Sequence, residues 1–275
     1  MKAHRTALAV ILAAALMPAT ALATENDTSG TAYYVLPDGA LQSDFIPPTV
    51  GGMGNAGVAQ WFVIRLEARR SYVFEVVSRG MFGFNSPPQP VPAYFEGDGT
   101  TALAGILLQE ISYCDPKAGD YAQVPIRRHS LINNTNTAKF ALVRITSGLN
   151  YQTSEAQPFQ VRFIDTSIAS ARWTTNNYSS FVGLHNRQTC SVTYYINYYN
   201  EAGVLLQQIS APIPGRGSVQ IKKDATDPVL GGQRGAVEVL HTGAAGDIVG
   251  FVYGVEANNA FILQFPLERR GYGAP

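Results

Sequence analysis

The chain has 275 residues, with 20 basic and 20 acidic side chains and only 15% charged residues. Soluble proteins usually carry about 25%. Without a basic excess, the electrostatic attraction that dominates nucleic-acid binding is missing, so no nucleic-acid partner is expected. The 26 glycines, 16 prolines, 14 tyrosines and 13 phenylalanines describe strands and turns rather than helices.

The first residues, Met1-Lys2-Ala3-His4-Arg5, are basic; an apolar run from Ala7 to Met17 and the small-residue site Ala21-Leu22-Ala23 follow. This is the pattern of a cleavable signal peptide over residues 1–23. Its apolar run is shorter than the ~20 residues that span a bilayer, and no comparable run follows, so no membrane span is expected. A secreted, periplasmic or cell-surface location is implied. Without Lys2 and Arg5 the mature chain keeps 18 basic against 20 acidic residues, a charge of −2. Residues 24–30 are polar and read as a flexible leader. The remaining length suits two all-β domains of ~100–150 residues each: two consecutive antiparallel β-sandwiches of Ig-like or jelly-roll-like type over 31–166 and 167–270, with 271–275 as a tail.

In the first half, Ala32 to Leu36 reads as a strand ending in the turn Pro37-Asp38-Gly39. Gly52-Met53-Gly54-Asn55-Ala56-Gly57 matches G-x-G-x-x-G, but it follows Pro-Pro-Thr-Val and runs into the strand-like Trp61 to Leu66. Dinucleotide binding needs that motif between a strand and a helix, so it reads as a loop. Phe62, Ile64 and Leu66 alternate in one run and Tyr72, Phe74 and Val76 in the next, which suggests a strand pair joined by Glu67 to Arg70. Ala93 to Phe95 and Ile106 to Tyr113 flank the turn Gly97-Asp98-Gly99-Thr100. Asp98 and Glu96 offer too few oxygens for calcium, which takes 6–8, so neither a metal nor a cofactor is expected. Phe140 to Thr146 and Phe159 to Ile164 complete this half. Trp61-Phe62, the turn and Ser71 to Val76 together resemble the pre-peptidase C-terminal type of secreted sandwich over residues 59–77. Arg69-Arg70 stands where that family has Gly-Gln and no Asp-rich strand follows, so its calcium site is not carried over.

The second half is organised around Cys190 to Asn200, read Cys-Ser-Val-Thr-Tyr-Tyr-Ile-Asn-Tyr-Tyr-Asn. Period-two geometry sends Cys190, Val192, Tyr194, Ile196 and Tyr198 to one side, and Thr193, Tyr195, Asn197 and Tyr199 to the other. The first set reads as core and the second as surface. Trp173 to Tyr178, Phe181 to Asn186 and the aromatic strand read as a meander. Gly235 to His241 and Asp247 to Val255 read as a hairpin about Thr242 to Gly246. With its short strands and regular turns this half reads as an Ig-like or fibronectin-like sandwich. Residues 168–268, through Trp173, Asn176, Asn177, Phe181, Leu184, Asn186, Tyr198, Tyr199, Asn200, Gly203, Gly235, Val237, Val239, His241 and Gly243, resemble a module recurrent in exported bacterial proteins. That resemblance implies a fold and an exported location, and no catalytic residues.

Beyond the leader the histidines are His129, His185 and His241, none in the spacing of a triad or zinc site. His241 continues the inward phase of Val237 and Val239 as a structural histidine. Cys114 and Cys190 leave a disulfide between the halves and a buried free thiol both open. Tyr195, Asn197 and Tyr199 have three readings: packing beneath another part of the chain, a protein interface, or a platform for sugar rings. The expected function is a non-enzymatic exported interaction or structural protein working through exposed sheet faces or edges, with itself or another exported protein as partner. The alternatives are a carbohydrate-binding module with a polysaccharide ligand, and a hydrolase with a dispersed site.

Overall fold

The computed structural model of the chain describes residues 28–46, 59–78, 90–111, 126–147, 157–256 and 262–270. Residues 1–27, the G-x-G-x-x-G stretch, Cys114 and the tail lie outside them, while Ser29–Thr31, at the end of the expected flexible segment, form a 3-10 turn with Thr28 as its N-cap. The chain is all-β and built of antiparallel sheets, with one parallel pairing between β1 and β3. In the first half the strands are β1 (Tyr33–Tyr34), β2 (Gln42–Ile46), β3 (Gln60–Leu66), β4 (Arg70–Ser78), β5 (Pro90–Phe95), β6 (Leu107–Glu110), β7 (Ile126–Asn133), β8 (Lys139–Ser147) and β9 (Gln157–Asp165). In the second they are β10 (Ile168–Thr174), β11 (Tyr178–Asn186), β12 (Val192–Asn200), β13 (Leu205–Ile213), β14 (Ser218–Lys223), β15 (Arg234–His241), β16 (Ile248–Glu256), β17 (Ile262–Pro266) and β18 (Glu268–Arg269).

Four sheets result: I in the order β1-β3-β8-β5, II in the order β2-β9-β4-β7-β6, III in the order β13-β12-β15-β10-β18, and IV in the order β14-β11-β16-β17. Alternation decides what they enclose. Phe62, Ile64, Tyr94 and Val143 from sheet I meet Tyr72, Phe74, Leu131 and Phe163 from sheet II in one core. Val192, Tyr194, Ile196, Tyr198 and Trp173 from sheet III meet Val182, Leu184, Ile248 and Val252 from sheet IV in another. Each large side chain removed from water contributes about 1.5–3 kcal/mol. Aromatic contacts add direction, as where Trp173 meets Tyr198 edge-on at 5.3 Å.

Three expected connections are corrected by this topology. β3 and β4 are not a pair: they lie in sheets I and II, facing one another across the core. The Tyr72 hydroxyl accepts a hydrogen bond from the Glu67 amide at 2.8 Å and so ties down the arch between them. β10, β11 and β12 alternate between sheets III, IV and III instead of forming a meander. β15 and β16 do not pair either, because β15 is flanked by β10 and β12, and β16 by β11 and β17. Consecutive strands in facing sheets put both their apolar faces into one core, which the local period of a strand does not distinguish from a hairpin.

The halves meet at Thr166 and Ser167, both buried, between β9 and β10. Ser71, which opens the inner run of β4, binds both: its carbonyl accepts from the Thr166 amide at 2.9 Å, and its amide donates to Ser167 Oγ at 2.9 Å. Arg70 pairs with Asp165 beside them at 2.5 Å. β18 returns to this joint, where the Arg269 guanidinium donates to the Asp165 carbonyl at 3.1 Å and the Arg270 amide to that of Ser167 at 3.3 Å.

Candidate functional site: the outer faces of the second half

The aromatic strand β12 buries Val192, Tyr194, Ile196 and Tyr198 in the core. Cys190 lies before the strand, at a bend, as a free and half-buried cysteine. The opposite phase does not face open solvent. Asn197 is fully buried, and Tyr195 and Tyr199 are half-buried. On this outer face of sheet III, Asn197 Oδ1 accepts from Gln208 at 2.5 Å, and Gln208 in turn exchanges hydrogen bonds of 2.7 and 3.0 Å with Asn134 of the first half. Asn134 also accepts from Arg69 at 2.9 Å, so the arches after β3 and β7 reach this face together. β4 packs on β15, whose Leu240 shares the outer phase of Tyr195 and is fully buried.

Glu238 is paired across strands. The Tyr199 hydroxyl donates to Glu238 at 3.0 Å, and Arg270 donates to the other carboxylate oxygen at 2.8 Å. Burial raises the Glu238 carboxyl above its ordinary value, opposed by Arg270. Burial likewise raises the Tyr199 phenol, and the neighbouring Glu238 charge adds to it. His241 ends β15 at the joint, where its amide donates to Ser71 Oγ at 3.3 Å. Complete burial takes its imidazole down to about 4.

The outer face of sheet IV differs. Its register sets cross-strand rows: Lys222, Phe181, Tyr253 and Gln264 in one, Gln220, Gly183, Phe251 and Pro266 in the next, then Ser218, His185 and Val249. Tyr253 stacks on Phe181 with ring centroids 4.6 Å apart and planes 8° from parallel. Its hydroxyl meets the Gln220 amide on β14, so the side chain reaches right across β11. Phe251 leans the same way. A Cβ placed on Gly183 would fall 2.9 Å from Phe251 Cζ and 3.1 Å from Cε2, so the ring occupies the space that a side chain there would fill. Glycine beneath an aromatic ring is a cross-strand pairing that flattens such a surface. The two leaning rings lie side by side, 5.6 Å between centroids and 32° between planes. Phe251 and Val249 each remain 40% exposed.

Beside them runs a depression of about 470 Å³ with Val249 and Phe251 on one side and His185, Ser218 and Gln220 on the other. His185 Nδ1 lies 2.9 Å from Ser218 Oγ. Sequence reasoning passes over Phe251 and Tyr253, although Ile248 to Glu256 alternates as legibly as β12. The mixing of glycine with aromatics there dilutes the count of large residues that draws the eye to β12.

A second concavity, about 440 Å³, lies between the halves. Glu75 and Arg128 line it, paired at 2.8 Å, and Arg162 takes the other Glu75 oxygen. The residues that carried the module resemblance hold turns: Asn186 Nδ2 donates to the Cys190 carbonyl at 2.8 Å, Asn200 Oδ1 accepts from Ala202 and Val204 at 3.0 and 2.9 Å, and the Trp173 indole donates to the Tyr199 carbonyl at 3.0 Å. Asp98 accepts from the Thr101 hydroxyl at 2.5 Å and from the Thr100 and Thr101 amides at 2.9 and 2.8 Å, as a turn residue, and these bonds bring its carboxyl down to about 2. Among the described residues no three His, Cys, Asp or Glu side chains gather as a metal site, and no helix is long and apolar enough to cross a membrane. His129 packs against Tyr94, 5.5 Å between centroids, away from both His185 and His241. The chain matches no protein-family model and no curated protein.

Proposed function

We propose that this chain is an exported, non-enzymatic interaction protein that makes contact through the outer face of sheet IV. The observation carrying this reading is the pair of aromatic rings, Phe251 and Tyr253, laid across β11 on a face that no described part of the chain covers. The corresponding face of sheet III is engaged by the first half and offers no such surface. Both edges of sheet IV, and one edge each of sheets I and III, favour a face over strand addition. β5 carries Pro90 and Pro92, β13 carries Pro212, β17 carries Pro266, and β14 ends in Lys222-Lys223. Proline lacks the donor that an added strand needs, and lysine on an edge opposes pairing. Export is supported by the leader's pattern at residues 1–23 and by the resemblance of residues 168–268 to an exported module.

Light-scattering mass over a concentration series, beside retention on polysaccharide, tests this on the mature chain and on the double variant Phe251→Ser, Tyr253→Ser. The expected result is an association shown by the wild type and lost in a variant that keeps the wild-type circular dichroism. A wild type that neither self-associates nor is retained, or an association indifferent to both substitutions, defeats the reading.

A further inference from the structure

We infer that the occupant of this face is a neutral polysaccharide, with its sugar rings stacked on Phe251 and Tyr253 and its hydroxyls bonded along the adjoining depression. The inference rests on the contact-face reading above. Ring orientation is the first support. A ring standing upright from a sheet offers an edge to its partner, whereas Phe251 leans over Gly183 and Tyr253 reaches across β11 to Gln220. Tyr253 already gives one face to Phe181, so it is Phe251 above all that presents a face to match the apolar C–H face of a pyranose. The depression is the second. One wall is apolar, Phe251 with Val249, and the other is His185, Ser218 and Gln220. A sugar has the same division, an apolar ring face and a rim of hydroxyls, and the volume of about 470 Å³ falls in the range of about 300–1,000 Å³ typical of small-molecule sites.

Charge is the third support. The lysine in the aromatic rows, Lys222, is neutralised by Asp224 at 3.1 Å, so an acidic polymer finds no spare cation among these rows. The surface also lacks what protein partners anchor in. A protein hot spot is a deep, desolvated pocket filled by an aromatic or arginine from the other side, whereas here the aromatics are the chain's own and stay at the surface, with Phe251 and Val249 each 40% exposed.

The test is affinity electrophoresis of the mature chain in gels containing hydroxyethyl cellulose, xyloglucan or galactomannan, with polygalacturonate as the acidic comparison and light scattering in parallel. At least one neutral gel should retard the wild type, with no retardation by polygalacturonate. Phe251→Ala should weaken the apparent Kd by about two- to tenfold, the factor that one stacked ring is worth. Gly183→Ala should weaken it too, although it removes no ring, because the new methyl displaces Phe251. Urea midpoints for both variants separate loss of the surface from loss of the fold. Absence of retardation in all three neutral gels, equal retardation by polygalacturonate, or retention unchanged in both variants overturns the sugar assignment. If the neutral gels fail while self-association depends on Phe251 and Tyr253, the contact face stands and the ligand class falls. If neither property depends on the rings, both fall.

Discussion

The outer faces of sheets III and IV belong to the same half, and strands of equal regularity build them, yet they meet different fates. Face III buries Asn197 and Glu238: Gln208 bonds the Asn197 amide oxygen, Arg270 and Tyr199 bond the Glu238 carboxylate, and Asn134 and Arg69 of the first half join at the border. Face IV satisfies its polar groups internally, Tyr253 with Gln220 and His185 with Ser218, and leaves its aromatic surface bare. Alternation in a strand tells which residues share a side. It does not tell whether that side ends at water or at another part of the chain.

The sharpest way to break this contrast is to place a charge on each face. Leu240→Asp buries a carboxylate in a covered site and should cost about 4 kcal/mol or more, whereas Val249→Asp, on the bare face, should stay within about 1 kcal/mol. Equal shifts in urea unfolding would show that face III is open after all. The next effect in size comes from pH. His241 is held neutral by burial, at about 4 in the folded chain against about 6.5 unfolded. The unfolded state therefore binds the extra proton first, so stability is complete above the unfolded value and falls as pH drops from about 6.5 to about 4, by about 3 kcal/mol in all. His241→Asn should flatten that slope, and chemical denaturation at a series of pH values reads it. Smaller still is Phe251→Ala, which uncovers Gly183 and should cost about 1 kcal/mol. Gly183→Ala should lie nearest to zero in thermal unfolding, because the gain in strand propensity offsets the displaced ring.

Much of the fold was legible because burial follows period two: Val192, Tyr194, Ile196 and Tyr198 lie in the core, as their spacing requires. Cys190 shows where that reading overreaches. Its phase belongs to a strand that begins only at Val192, beyond a bend that resets it. The connections were less legible, since β15 followed by a Gly-rich turn and β16 looks alike as a hairpin or as an arch between sheets. Only the occupied edges on both sides of β15 decide, and those come from residues distant in sequence. For the candidate site, the residue types were informative and their surroundings were not. Tyr195, Asn197 and Tyr199 lie on the outward phase as expected, but Asn134, Arg69 and Arg270 reach the polar groups of that face from remote segments. Phe251 and Tyr253 depend on a glycine in the neighbouring strand, a cross-strand relation that no single segment displays.

The clasp of β18 on the joint has a consequence in time. A chain made from its N-terminus completes β1 to β17 before Glu268 to Arg270 emerge, so each core can close while the Asp165 and Ser167 carbonyls still await Arg269 and Arg270. The β18 contacts are then added to a joint already held by Ser71 and Arg70, and trimming by a protease at those few residues would remove the clasp while leaving both cores and the Ser71 bonds to Thr166 and Ser167 in place.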